Sequence, residues 1–486
     1  MSKTKVIYKD LAVGAEEDAS VSTTYPLDGS KPELLPSGVS PGNVITLEPH
    51  RWTLGGTFGA FYENNSIAFW SSDLSNENCV LENAPVITIS FSKQFSSTGI
   101  GFTFDESTGE YCSLLHIEWY QGGSMKSEQD FTPDNTQYFC SKKVESYDKL
   151  VITLKKTSLP RRRAKVNRIL FGVTRTFEVG ELRSASLTNE MDESAIELPA
   201  STFTWELDSR EDVDYMFQLK QPVEVWNGGR LIGVYYIDGS SRKAQRIYDI
   251  DCNDAIGVLS EMQFSGAAYL EGISAKELLE TLAAPFSVEY APGVEDTTLK
   301  GVLTDQTRRE AIQQVIFAWG VCLATDGGSS LRVFNQPTEP KVIPKNRTFL
   351  GTSVETSAIV TKVNVIAHTY TANSDGGFKI GDVSYKDTET VYSVSNPDVT
   401  ATDRENIKEI ANATLISTDI GQATAQRVYD FYSKRDTNSA QIVYEGEKLG
   451  DCVSIYTPWG TLVSGNIRKM QIKLSNTVVF SGEVTG

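Results

Sequence analysis

Histidine is nearly absent from this 486-residue chain, occurring only as His50, His116 and His368 in separate segments. A zinc site built from neighbouring positions needs His, Cys or carboxylate ligands at short spacing, and no such group is visible, so each histidine is expected to be a satisfied strand residue. Cysteine is also sparse: Cys79, Cys112, Cys140, Cys252, Cys322 and Cys452 lie far apart, with no Cys-x-x-Cys pair. That pattern predicts reduced thiols in strands and helices, with a disulfide among the first three left open. There is no Gly-x-Ser-x-Gly elbow, no Walker loop and no dinucleotide fingerprint after a strand, so neither an enzyme nor a cofactor is expected. No apolar run approaches the roughly 18–20 residues that cross a bilayer, which excludes helical membrane insertion. The start, Met1-Ser-Lys-Thr-Lys-Val-Ile-Tyr8, carries no apolar core of a signal peptide, so synthesis in a cytosol is expected. Positive charge is short as well, with 45 Lys and Arg against 63 Asp and Glu, a net charge of −18. This balance argues against general DNA, sequence-specific nucleic-acid or anionic-membrane binding, each of which needs clustered Lys and Arg.

What is present favours β structure. Hydrophobic runs are short, Gly, Ser and Thr are frequent, and aromatics make up 10% of the chain. The length suggests roughly two to four domains. The expected class is mainly β with α+β modules: an antiparallel sandwich, then β domains with a few packing helices, which the resemblances below imply are a jelly-roll and hub-type barrels. Residues 1–20 are polar and acidic and are expected to form an arm, poorly ordered alone. Residues 21–172 carry recurrent short strand signals, among them Val44–Leu47, Ile67–Trp70, Val86–Phe91, Gly99–Phe104, Leu115–Tyr120 and Leu150–Leu154. No convincing helix interrupts them, which predicts two facing antiparallel sheets.

Residues 173–344 form an α+β segment organised by Gln221–Phe334. Pro222-Val-Glu-Val-Trp226 and Arg230-Leu-Ile-Gly-Val-Tyr-Tyr-Ile237 flank Asn227-Gly228-Gly229, a tight-hairpin signal because Asn and Gly accept positive φ at little cost. A strand over 246–252 follows. Apolar residues at helical spacing predict helices over 275–282 and 307–319, the second opened by a Thr307-x-x-Glu310 capping box. Ala195–Leu207 is expected to be one long strand. Residues 345–486 are expected to form a further barrel domain, with short helices over 404–413 and 423–432 and β structure to the end.

Several residues invite a functional reading beside a bland one. Arg161-Arg162-Arg163-Ala-Lys165 is the one basic cluster: a solvated turn, or a contact with an acidic partner subunit. Trp52, Phe69, Trp70 and Trp119 are candidates for stacking on a sugar ring, although aromatics of a sandwich are more often core. Glu118 would be one carboxylate of a glycosidase pair, or an exposed Glu on an alternating strand. Asp105, Glu106 and Glu110 would be a calcium loop, or a solvated hairpin turn.

Two resemblances bear on function. The Leu27-Asp-Gly-Ser30 turn, Phe69-Trp-Ser-Ser72, Pro85-Val-Ile-Thr-Ile-Ser90 and Val166-Asn-Arg-Ile-Leu-Phe-Gly172 together resemble the discoidin-like, galactose-binding-type sandwich. That resemblance implies a glycan or surface ligand bound through loops, with Trp52, Trp70 and Trp119 as contacts. Downstream, Glu197-Leu-Pro199, Gln221-Pro-Val-Glu-Val-Trp-Asn-Gly-Gly-Arg-Leu-Ile-Gly233, Asp254-Ala-Ile-Gly-Val-Leu259 and Thr307-Arg-Arg-Glu-Ala-Ile-Gln-Gln314 resemble the tail hub of contractile-tailed phages and phage-tail-like bacteriocins. The hub resemblance implies a homotrimeric virion component between the sixfold tail tube and the threefold central spike, touching other baseplate proteins. It places assembly contacts at hairpins such as that of Trp226, Asn227 and Arg230, and the basic cluster Arg161, Arg162 and Arg163 joins them as a candidate partner contact.

Overall fold

The computed structural model describes residues 4–12, 14–39, 48, 67–210, 217–325, 330–349, 352–372, 377–400, 404–457, 459–474 and 479–485. The strand expected over 44–47, Trp52 and His50 lie outside the described residues. The chain is mainly β, with 54% of the described residues in strands and 11% in helices. It divides into two compact units. One comprises Tyr8–Arg175 with Val213–Gln221, and the other Met1–Ile7, Thr176–Asp212 and Pro222–Gly486.

The first unit is organised by a six-stranded sheet. Its order is Ser20–Thr23, Val86–Thr103, Gln137–Thr157, Cys112–Gln121 and Ser124–Phe131, with Arg168–Leu170 also on Val86–Thr103. Strict alternation sets its faces. Leu115, Ile117 and Trp119 point into the core, whereas His116, Glu118 and Tyr120 lie on the opposite face. A two-stranded sheet, Phe69–Trp70 with Lys165–Val166, contributes Phe69 and Val166 to the same core. Edge-on aromatic packing fills its centre, with Phe91 against Phe95, Tyr147 and Phe171 at centroid distances of 5.1, 5.9 and 5.1 Å.

The second unit is built on a 13-stranded sheet in which Pro222–Asn227, Arg230–Ala244, Ile247–Asn253, Thr202–Asp208, Leu182–Glu190, Leu462–Lys473, Val479–Thr485 and Asp436–Val443 are successive neighbours. Leu182–Glu190 pairs antiparallel with Leu462–Lys473, so the boundary expected at residue 344 does not divide the structure. The ladder joins chain segments nearly 300 residues apart, and no local pattern announces it. The segment expected to be an arm is also ordered: it forms the strand Thr4–Leu11, whose residues up to Ile7 belong to this unit. Its alternating buried Thr4, Val6 and Tyr8 explain why.

The helices form where caps and periodicity coincide. Arg308–Trp319 starts at Thr307, whose side chain accepts from Glu310 N while the Glu310 carboxylate accepts from Thr307 N, and it stops at Gly320 in the left-handed conformation. Ala275–Ala283 packs Leu278, Leu279 and Leu282 into the same apolar cluster. Gly421–Ser433 buries Ala425 and Val428 there too.

Two sequence expectations fail. Residues 404–413 contain the strand Ile407–Ile410, paired in parallel with Lys362–Ala372, and no helix. Apolar residues three apart suit a strand edge as well as a helix, and Asn406 and Thr361 fix the extended form by reciprocal hydrogen bonds of 2.9 Å. The long strand expected from Ala195 shrinks to Thr202–Asp208. Before it, the Asp192 carboxylate caps a turn, accepting from Ser194 N at 2.9 Å and Glu197 N at 2.8 Å, and so replaces the ladder.

Candidate functional site

The hairpin of Trp226, Asn227 and Arg230 forms as its turn chemistry dictates, with Gly228 and Gly229 at φ 58° and 81°. Its side chains are engaged within their own unit. Asn227 Nδ2 donates to Thr4 Oγ1 at 2.8 Å, Trp226 Nε1 donates to Glu224 Oε2 at 3.0 Å, and Lys5 Nζ sits 5.5 Å from the Trp226 ring centroid. Arg230 donates to the Glu445 carbonyl. It thereby enters a polar cavity of about 480 Å³ shared with Glu289, Arg332, Glu445, Glu447 and Lys448. Glu447 is tied to Arg347, whose Nη2 donates to Oε1 at 2.6 Å. Burial pushes the Glu447 carboxyl up, but the Glu445 backbone N–H and the Arg347 guanidinium outweigh it and hold the carboxyl below its ordinary range. Arg230 and Arg332 donate to the carbonyls of Glu445 and Leu449 at this cavity, so both cations are engaged within the unit.

The basic cluster is mostly inside the first unit, against the expectation of a solvated turn or a partner contact. Arg162 Nε lies 2.5 Å from Glu110 Oε1. Arg163 donates through Nη1 to the carbonyls of Ser71, at 2.8 Å, and Ser72. Lys165 Nζ lies 2.7 Å from Glu48 Oε2 and 2.9 Å from Glu110 Oε2. Only Arg161 is exposed, paired with Glu77. Arg162 and Lys165 therefore serve the core of their own unit, because the carboxylates of Glu48 and Glu110 are buried there and require cations, while the half-buried Arg163 is held by the Ser71 and Ser72 carbonyls. The same observation corrects the calcium-loop expectation: Asp105 and Glu110 are buried, and Lys165 and Arg162 stand where an ion would bind.

Trp70 and Trp119 are 4% and 0% exposed, so neither offers a ring face to a sugar. Trp70 instead receives Lys165 Nζ at 4.8 Å from its centroid, and Trp119 packs edge-on against Phe131 at 6.4 Å.

Sequence reasoning missed two places. One is the turn between Cys452–Tyr456 and Leu462–Lys473. Trp459 is 68% exposed there, Leu462, opposite Tyr456, is 47% exposed, and Val342 on the outer strand Lys341–Val342 is 49% exposed. The turn signal Pro458-Trp459-Gly460 was legible in the sequence, but the exposure of Trp459 was not. The other is the group of His116, Glu118 and Glu128, whose ligand atoms all lie within 4.8 Å of one another. The cross-strand register assembles it: His116 faces Asp130 and Glu118 faces Glu128. All six cysteines are free thiols, as expected. Burial pushes the Cys112 thiol up to about 12. Among the described residues no helix is long and apolar enough to cross a membrane.

No protein-family model matches the chain, and no characterised protein matches it significantly in sequence. Solved structures to which the chain shows a partial likeness include tail proteins of phage type, each at a TM-score under 0.5. The tail protein of Neisseria meningitidis MC58 matches at 12% identity and a TM-score of 0.48, over 64% of this chain and 94% of that one. The 43 kDa tail protein of prophage MuSo2 from Shewanella oneidensis matches at 11% identity and 0.45, over 64% and 94%. The prophage tail protein gp18 from Listeria monocytogenes EGD-e matches at 11% and 0.42, over 63% and 91%.

Proposed function

We propose that this chain is a structural, non-enzymatic baseplate hub protein of a contractile phage tail or tail-like particle, a homotrimeric adaptor between the tail tube and the central spike. The observation that carries the reading is the corner of the large sheet bearing Trp459, Leu462 and Val342. An isolated exposed apolar side chain is ordinary, but three on one corner, beside a two-residue outer strand, form a surface that gains by being covered. An exposed tryptophan is the kind of side chain that anchors protein interfaces. The order of the hub-like motifs from Glu197 to Gln314 supports the same reading, and the net charge of −18 suits a lumen that DNA or cargo must pass without sticking. Such a chain is made in the host cytoplasm and completed in the particle.

The test is the native mass of the full chain by analytical ultracentrifugation, alone and mixed with the tube and spike proteins encoded beside it. A trimer that binds both is expected. A monomer at micromolar concentration with no affinity for either overturns the reading.

A further inference from the structure

We propose that His116, Glu118 and Glu128 form a binding site for one divalent transition-metal ion, zinc above all, which staples the outer strand Ser124–Phe131 to the sheet. His116 and Glu118 stand two residues apart on Cys112–Gln121, and Glu128 and Asp130 stand opposite them on Ser124–Phe131. Period-two geometry puts all four side chains on the face away from the core. His116 Nδ1 lies 2.8 Å from Asp130 Oδ1, and Lys155 Nζ holds that same oxygen at 2.8 Å. With the Lys155 ammonium on the same oxygen, the Asp130 carboxylate is the acceptor of the contact with Nδ1. Nδ1 therefore carries the proton, and the lone pair of Nε2 is turned to the other side.

That side holds two more acceptors. Nε2 lies 3.5 Å from Glu118 Oε1 and 3.4 Å from Glu128 Oε2. Ligands on a tetrahedral zinc, at bond lengths of about 2.1 Å, are separated by about 3.4 Å. The two nitrogen–oxygen separations are thus those a metal would impose, and the ligand atoms all lie within 4.8 Å of one another, whereas a directed hydrogen bond from nitrogen to oxygen is shorter, about 2.9 Å. The supporting contacts have the matching form. A carboxylate behind the imidazole fixes its tautomer, and the Tyr120 hydroxyl donates to Glu118 Oε2 at 2.6 Å, leaving Oε1 to face Nε2. A neutral imidazole with two carboxylates carries a charge of −2, which one divalent ion cancels. The mixed nitrogen and oxygen set selects zinc or a neighbouring transition metal over calcium and magnesium, which prefer oxygen alone. Glu128 is 58% exposed, so the fourth position opens to water.

The test uses the full chain, stripped with a chelator and titrated with zinc chloride by calorimetry and by equilibrium dialysis. The wild type is expected to bind one zinc more per chain than H116A. H368A, altered at the other histidine-carboxylate group, is expected to keep that ion. E128Q, a change at an exposed side chain that leaves folding intact, is expected to weaken binding at least tenfold, and D130N by about 10- to 100-fold with the ion still bound. Zinc is also expected to slow amide exchange across residues 124–131 in the wild type only. Equal zinc stoichiometry in wild type and H116A, an E128Q affinity equal to that of the wild type, or occupation by calcium and not by zinc overturns the proposal.

Discussion

Lys165 Nζ lies 2.7 Å from Glu48 Oε2, with the two side chains 1% and 0% exposed. The same ammonium reaches Glu110 Oε2 at 2.9 Å, and Arg162 Nε holds the other oxygen of Glu110. Taking these charges out of water is costly, and their mutual pairing, with the hydrogen bond from Arg163 N to Glu48 Oε1 at 2.8 Å, offsets it. Removing one partner strands the rest. K165M is therefore expected to lose about 3–5 kcal/mol of unfolding free energy in urea, and the double variant E48Q/K165M to recover part of it. A loss below about 1 kcal/mol in K165M would mean the cluster is solvated after all.

Trp459 and Leu462 are expected to behave in the opposite way. Both are largely exposed, so W459A and L462S should leave thermal stability within about 0.5 kcal/mol of the wild type. Their effect should fall on association, weakening the oligomer or its binding to neighbouring tail proteins at least tenfold in sedimentation. Unchanged association in W459A would remove this corner from the assembly surface.

Two glycines separate backbone strain from crowding. Gly229 has φ 81° with open space around a would-be Cβ, so G229A should cost about 1 kcal/mol. Gly301, at φ 148°, faces the backbone: an added Cβ would collide with the Thr414 carbonyl oxygen and stand 2.9 Å from Leu415 Cα. Neither atom can yield without moving the segment that donates Leu415 to the core. G301A is expected to lose several times as much stability as G229A, read from urea midpoints. Equal midpoints would contradict the packing described.

The capping box of Arg308–Trp319 gives a pH signature. The Thr307 backbone N–H and hydroxyl hold the Glu310 carboxyl below its ordinary value. A carboxyl whose folded pKa is depressed adds stability above its unfolded pKa and loses it as pH falls through the folded one. T307A should cost about 1 kcal/mol at neutral pH, and the difference from the wild type should shrink in acid, below the unfolded Glu value of about 4.3. A difference that stays constant from neutral pH into acid would show that the carboxylate takes no part.

The elements legible in advance were those stabilised by neighbours in sequence. The Asn227-Gly228-Gly229 hairpin, the Thr307 cap, the Gly320 stop and the helix over 421–433 each depend on hydrogen bonds or side-chain spacing within a few residues, and their residue types announce them. The same holds for the alternation that buries Leu115, Ile117 and Trp119. Register, long-range pairing and desolvation were decided in three dimensions. The ladder of Leu182–Glu190 with Leu462–Lys473 merged two expected domains. Ile407–Ile410 became a strand because Lys362–Ala372 offered it a partner. Arg162 and Lys165, in a run that reads as surface, were drawn inside by buried Glu110 and Glu48. The histidine and carboxylates that a linear scan finds too scattered to bind metal meet only when two strands pair. Local backbone geometry is written in adjacent residues, whereas the energy of a buried charge or a cross-strand group depends on what the rest of the chain brings to it.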